Sequence, residues 1–194
     1  MQCRVLEMRC GKGAKPISPH PAKERGMQAR LKLLSISLMF LAGCHAHQGS
    51  SNARKDVDAI KARYSAWKHA FEARDLNGIM AIYSPDVLVY DAVPPLQFSG
   101  TASYRKDYET FLGQFKGPVR VTIPHVHVEQ SGPVAYAFGL ERLRGTMTNG
   151  TDVDMWLRFT DGWKRQNGQW LIEHEHVSVP ADMATGKARL DLTP

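Results

Sequence analysis

A chain of 194 residues with 43% apolar side chains has material for one packed core and too little for two independent domains. Its formal charge of +6 invites a nucleic-acid partner, but the excess sits in the leading residues: Arg4, Arg9, Lys12, Lys15, Lys23 and Arg25 face only Glu7 and Glu24, and Arg30 and Lys32 face no acid. From Cys44 onward 17 basic residues meet 17 acidic ones, so the body is neutral and the charge argument for nucleic acid disappears.

Residues 1–26 are basic, carry Pro16, Pro19 and Pro21, and show no apolar period, which reads as an extended leader or as residues ahead of a true start at Met27. Residues 27–43 have the layout of an export signal. A short basic opening containing Arg30 and Lys32 is followed by the apolar run 33–41, broken only by Ser35 and Ser37, and then by small residues. The run is well short of the ~20 residues that span a bilayer. The sequence Leu41-Ala42-Gly43-Cys44 resembles the lipobox of bacterial lipoproteins. That resemblance implies lipidation of Cys44, a membrane anchor at the cell envelope and a domain facing the periplasm; the plainer alternative is an ordinary signal peptide beside a chance cysteine. Residues 44–53 are then expected to be the lipidated cysteine and a polar tether. Cys3, Cys10 and Cys44 all precede the body, so no disulfide staples it and no cysteine metal site forms in it.

In the body, Val57, Ile60, Tyr64, Trp67, Ala70 and Phe71 recur at steps of three and four and predict an amphipathic helix over 56–74. Asp75 is a plausible cap for a second helix over 76–83, stopped by Ser84-Pro85. Residues 87–91 read as a strand ending at Pro94-Pro95, and a third helix runs from Gly100-Thr101 to about residue 115. Four strands follow, over 119–130, 134–146, 153–165 and 170–179. Two of their joints, Asn149-Gly150 and Asn167-Gly168, are hairpin signals. Helices first and a meander afterwards predict an α+β fold with a curved antiparallel sheet. Dinucleotide, phosphate-loop and nucleophile-elbow motifs are absent from the sequence, and no cofactor is expected.

This element order resembles the cone-shaped nuclear transport factor 2-like fold, shared with ketosteroid isomerases and SnoaL-like polyketide cyclases. The segment Arg74-Asp75-Leu76-Asn77-Gly78-Ile79-Met80-Ala81-Ile82-Tyr83-Ser84-Pro85-Asp86 is similar to a recurrent stretch of that family, and Gly168 to Ser178 is similar to the closing strand of its SnoaL-like branch. The likeness covers about residues 54–182, with 183–194 a tail. It implies a fold far more strongly than a reaction.

Asp91 ends an apolar strand beside Val93-Pro94-Pro95, where partial desolvation suits a general base; the alternative is a turn-capping carboxylate. The resemblance places Asp91 at the proton-abstracting position of the isomerases. Those enzymes also use a helix Tyr and a neutral late-strand Asp. Here Trp67 falls at the Tyr position, with Tyr64 one turn earlier, and Thr160 or Asp161 falls at the other, which argues against true steroid isomerisation.

Strict alternation on the last strand puts Trp170, Ile172, His174 and His176 on one face, with Glu173 and Glu175 on the other. Alternation on the preceding strand groups Asp154, Trp156, Arg158 and Thr160. If both faces line a cavity, His174 and His176 join Asp91 as acid–base candidates. Trp156 and Arg158 then join Tyr64, Trp67 and Tyr104 as ligand contacts suited to an anionic or polar-aromatic molecule. The duller alternative makes Arg158 and the histidines hydrogen-bonded structural groups, and the aromatics plain core. His125-x-His127 and His174-x-His176 lack a third ligand at convincing spacing, so no metal is expected.

The expected function is binding of a small organic ligand by an exported lipoprotein, with isomerase- or cyclase-like acid–base chemistry open. The competing reading is a non-catalytic module whose sheet dimerises or docks an envelope partner; a homodimer is expected in either case.

Overall fold

The computed structural model describes the backbone of residues 43–194 and the side chains of 52–194. The export signal expected over 27–43 therefore lies almost wholly outside the described residues, and of Cys44 only the backbone is described. Among the described residues no helix is long and apolar enough to cross a membrane.

Helix α1 spans Gly43–Ala73 and so includes the expected tether. Residues 44–53 contain no proline, and adding turns to a helix already nucleated costs little, so nothing in their composition stops it. Ile60, Tyr64, Trp67 and Phe71 form its buried stripe. Each contributes on the order of 1.5–3 kcal/mol by leaving water. Asp56, near the start of the stripe, accepts hydrogen bonds from Trp170 Nε1 at 3.1 Å and Arg165 at 2.9 Å, tying the helix to the sheet.

The turn after α1 is held by Arg74, which adopts a left-handed φ of 58°. Its guanidinium donates to the carbonyls of Leu112, Phe115 and Gly117 at 3.0, 2.9 and 2.7 Å, offsetting a conformation that glycine adopts more easily. Asp75 caps α2 (Leu76–Met80), accepting from Asn77 N–H at 3.0 Å. The helix is shorter than expected because Tyr83 already belongs to β1 (Tyr83–Tyr90). A two-residue strand β2 (Phe98–Ser99) follows, then α3 (Thr101–Gly113).

The expected strand over 119–130 is two strands, β3 (Phe115–Thr122) and β4 (Val126–Ser131). Pro124 lies in the break and has no N–H to give a ladder. Both pair with the same long strand β5 (Val134–Met147), β4 along its first half and β3 along its second. Strands β6 (Asp152–Gln166) and β7 (Gln169–Ser178) complete a sheet of order β2-β1-β7-β6-β5-β3. The β6–β7 hairpin turns at Asn167 and Gly168, whose φ values of 50° and 82° are those its tight two-residue loop requires.

The α+β architecture is as expected, but the sheet is mixed: β1 runs parallel to β7. That pairing joins segments about 85 residues apart, which local patterning does not register. Helices α1 and α3 pack on one face of the sheet and enclose the core.

One irregularity decides what faces that core. In the β6–β7 ladder Trp163 pairs with Ile172 but Gly162 pairs with His174, leaving Glu173 as an extra residue. This bulge inverts the alternation of β7 beyond it. Trp170 and Ile172 point inward before it, whereas Glu175 and Val177 point inward after it.

Candidate functional site

Between α1, α3 and the inner face of the sheet lies a cavity of about 100 Å³. Helix α1 supplies Tyr64, Trp67 and Phe71 to its wall, and α3 supplies Tyr104, Tyr108 and Phe111. Five acids also line it, one each from five places in the chain: Asp91 just after β1, Asp107 on α3, Glu141 on β5, Asp161 on β6 and Glu175 on β7.

The centre of the arrangement is the Tyr104 hydroxyl, 2.9 Å from Asp91 Oδ2 and 2.9 Å from Glu175 Oε1. A phenol has one proton and can donate to only one of them. The other contact is a hydrogen bond only if that carboxyl is itself protonated and donates to the phenol oxygen. The geometry therefore calls for one proton held between two acids, linked through Tyr104. Burial, followed by the Asp91 charge, pushes Glu175 up to about 7. Burial also raises Asp91, although the Tyr104 hydroxyl and the backbone N–H groups of Ala92 and Val93 work against it by stabilising its anion. Asp91 is thus the better anion of the two and Glu175 the better acid.

A second pair lies deeper. Tyr64 donates a hydrogen bond to Asp161 Oδ2, and Trp163 Nε1 donates to the Tyr64 oxygen at 3.3 Å. Asp161 is 2% exposed, and burial together with the charge of Glu175 pushes its carboxyl well above the usual carboxylate range. Its other oxygen, Oδ1, is buried without a partner, as is Trp67 Nε1. Burial, then Glu175 and Asp91, lifts Glu141 to about 8; burial, then Asp91, lifts Asp107 to about 6. Tyr83 and Tyr108 share a hydroxyl contact of 2.9 Å, and burial raises both so that they remain phenols. Among the described residues no three His, Cys, Asp or Glu side chains are placed to hold a metal ion.

Of the residues singled out from sequence, Asp91, Tyr64, Trp67 and Tyr104 line the cavity. His174, His176, Trp156 and Arg158 do not. The Glu173 bulge turns both histidines to the outer face, where they stand edge-on to Tyr90 with centroids 4.9 and 6.2 Å away. His174 Nδ1 also meets the Leu88 carbonyl at 2.8 Å. Trp156 lies under the Arg142 guanidinium, 5.8 Å from the ring centroid, and Arg158 is exposed, because the inward series of β6 is Met155, Leu157, Phe159, Asp161 and Trp163. Among the described residues the cavity thus has no cation in its wall, contrary to the expected anion-binding Arg158.

Nothing in the sequence singles out Glu141 or Asp107, and Glu175, which strict alternation assigns to the face away from the cavity, is turned into it by the Glu173 bulge. Asp161 had a usable signal, since it continues the alternate apolar positions Leu157 and Phe159. Glu141 had a misleading one: its inward neighbours are the small Ala135, Ala137 and Gly139, while Tyr136, Phe138 and Leu140 face out.

A family model described as a SnoaL-like domain matches residues 60–182, more than half of the chain. Among solved structures, an NTF2-like protein of unknown function from Pseudomonas putida is 33% identical, with a TM-score of 0.65 over 75% of this chain and 98% of that one. A proposed dehydratase of the NTF2-like family from Streptomyces avermitilis is 17% identical (TM-score 0.57; 65% and 97% covered). A proposed scytalone dehydratase from Novosphingobium aromaticivorans is 15% identical (TM-score 0.60; 66% and 86% covered). The last two likenesses speak to fold alone. No curated protein matches the chain.

Proposed function

Because this chain belongs to the SnoaL-like domain family, we propose that its cavity takes a small organic ligand and moves a proton between two of that ligand's atoms. The observation that carries the reading is the Tyr104 hydroxyl bridging Asp91 and Glu175, since a base and an acid linked through one phenol form a ready proton-transfer pair.

Asp91, favoured as the anion, removes a proton from a carbon beside a carbonyl. The electron pair of that C–H bond moves onto the carbonyl oxygen, which the unpartnered Trp67 indole N–H is available to hold. Glu175 returns a proton elsewhere on the ligand, giving isomerisation, or to a departing hydroxyl, giving loss of water. Tyr104 then relays the proton from Asp91 back to Glu175. The names of the two dehydratase-like neighbours are compatible with the second outcome.

The test is exchange of ligand C–H for deuterium, followed by NMR in D₂O across a panel of small cyclic ketones and hydroxyketones. Asp91→Asn and Glu175→Gln should each slow exchange by roughly 10²–10⁴-fold. Exchange that neither substitution affects would remove the proposal.

The second reading, a dimerisation module, is favoured by the outer face of β5. Tyr136 and Phe138 stack at 6.1 Å and are 51% and 42% exposed. A homodimer through this face is compatible with a working cavity, and sedimentation of a Phe138→Lys variant would test it. We also retain the proposal that Cys44 is lipidated and anchors the domain at the cell envelope, facing the periplasm; loss of membrane fractionation in Cys44→Ala is the check.

A further inference from the structure

We propose that the ligand of this cavity is an organic cation: a protonated amine on a compact aromatic or alicyclic body, with a hydroxyl or carbonyl oxygen close to the nitrogen. The inference rests on the reading that the cavity binds a small ligand, and it does not require that the ligand be turned over.

Three observations converge on it. The titratable wall is one-signed: Asp91, Asp107, Glu141, Asp161 and Glu175 reach the cavity from five separate elements or their ends, and among the described residues no Lys, Arg or His lines it. The remaining titratable groups facing it are the phenols of Tyr64, Tyr83, Tyr104 and Tyr108, which are neutral. An anionic ligand would meet no opposite charge from the described residues of this wall. Trp67, Phe71, Phe111 and Phe159 add four aromatic rings to those tyrosines in an otherwise aliphatic wall, and aromatic faces attract ammonium groups electrostatically.

The third observation is independent of the acid count. Two nine-tenths-buried side chains on the wall keep polar atoms without partners, Trp67 Nε1 and Asp161 Oδ1. Buried orphans of this kind are rare and call for a group that completes them. The two are of opposite kinds: the indole N–H can only donate, whereas the Asp161 oxygen, with Tyr64 already donating to its twin, accepts from a cation. A ligand carrying an oxygen next to an ammonium satisfies both, which neither a hydrocarbon nor a carboxylate does.

Burial holds several of the wall's carboxyls protonated near neutral pH, so an entering ammonium takes the place of a proton and expels it. Binding of a cation is therefore expected to release protons and to tighten as pH rises.

The experiment is titration calorimetry on the full chain with three probes sharing one skeleton: 2-amino-1-phenylethanol, the neutral 1-phenylethane-1,2-diol, and mandelate. Runs at pH 6 and 8, in buffers of different ionisation enthalpy, also count released protons. The amine should bind at least about tenfold tighter than the diol at pH 8, the ratio expected from one hydrogen bond to a charged group. It should release protons and weaken toward pH 6, and mandelate should give no heat. Asp161→Asn and Glu141→Gln should each narrow the gap between amine and diol. Using both variants guards against one of them failing to fold. A diol that binds as tightly as the amine overturns the cation inference and leaves the ligand cavity standing, and so does tight binding of mandelate. No heat from any of the three, with the fold intact by circular dichroism, removes both readings.

Discussion

Replacing Glu175 with Gln should change how stability depends on pH more than it changes stability at any single pH. Glu175 is 6% exposed and its carboxyl is pushed from the ordinary 4.5 to about 7, first by burial and then by the Asp91 charge. The folded chain therefore holds this proton more tightly than the unfolded chain does. The stabilisation is complete below about pH 4.5 and is lost as pH rises through about 7. At about 1.4 kcal/mol per pH unit, the stretch from pH 5 to pH 8 removes about 2–3 kcal/mol through this one group. Glu141 and Asp107, raised to about 8 and about 6, act in the same direction. Urea unfolding followed by tryptophan fluorescence should show a parent protein that is clearly more stable at pH 5 than at pH 8. Gln keeps the size of Glu and, through its amide N–H, a donor for the Tyr104 oxygen, but does not titrate. Glu175→Gln should therefore flatten the profile by about 2–3 kcal/mol and match or exceed the parent at pH 8. Parallel profiles for the two proteins, or a parent more stable at pH 8, would refute the shared-proton description of the site.

Three further substitutions probe the frame around the cavity. Arg74→Ala should cost about 2 kcal/mol in chemical denaturation, because three carbonyls lose a charged donor, and Arg74→Gly should recover part of that loss by easing the left-handed backbone. Gly78→Ala would set a methyl 2.6 Å from the Ala70 Cβ and 2.8 Å from Asp75 Oδ2, where α2 packs on α1; a loss of about 1–3 kcal/mol is expected, and adding Ala70→Gly should restore only the part due to Ala70. Asp56→Ala removes the acceptor shared by Trp170 and Arg165 and should lower stability by about 1–2 kcal/mol. It should leave ligand affinity unchanged, since Asp56 is not part of the cavity wall, and calorimetry on the variant checks this.

The helices were legible because their signals are local. The apolar stripe of α1 repeats at the helical period, and Asp75 sits where a cap belongs. The hairpin turn at Asn167-Gly168 was legible for the same reason. The parallel pairing of β1 with β7 depends on contacts between distant segments and leaves no local trace. Asp91 was readable because an acid closing an apolar strand is conspicuous. Trp156 misled, since a large aromatic at an alternate position looks inward-facing, whereas here it supports Arg142 on the open face. Glu175 was hidden by the extra residue at Glu173, which changes the phase of the strand without changing its composition.

That extra residue also means that the chemistry of this wall is set by strand phase as much as by side-chain identity. The segment from His174 to Val177 carries two interleaved sets, one of imidazoles and one of a carboxyl with an aliphatic neighbour. Deleting Glu173 would close the ladder without a break, His174 still opposite Gly162, and would leave Glu175 and Val177 facing inward. Only drawing Glu173 into regular alternation would deliver the imidazoles inward, so the bulge holds an acidic interior in a strand whose side chains also encode a histidine-bearing one.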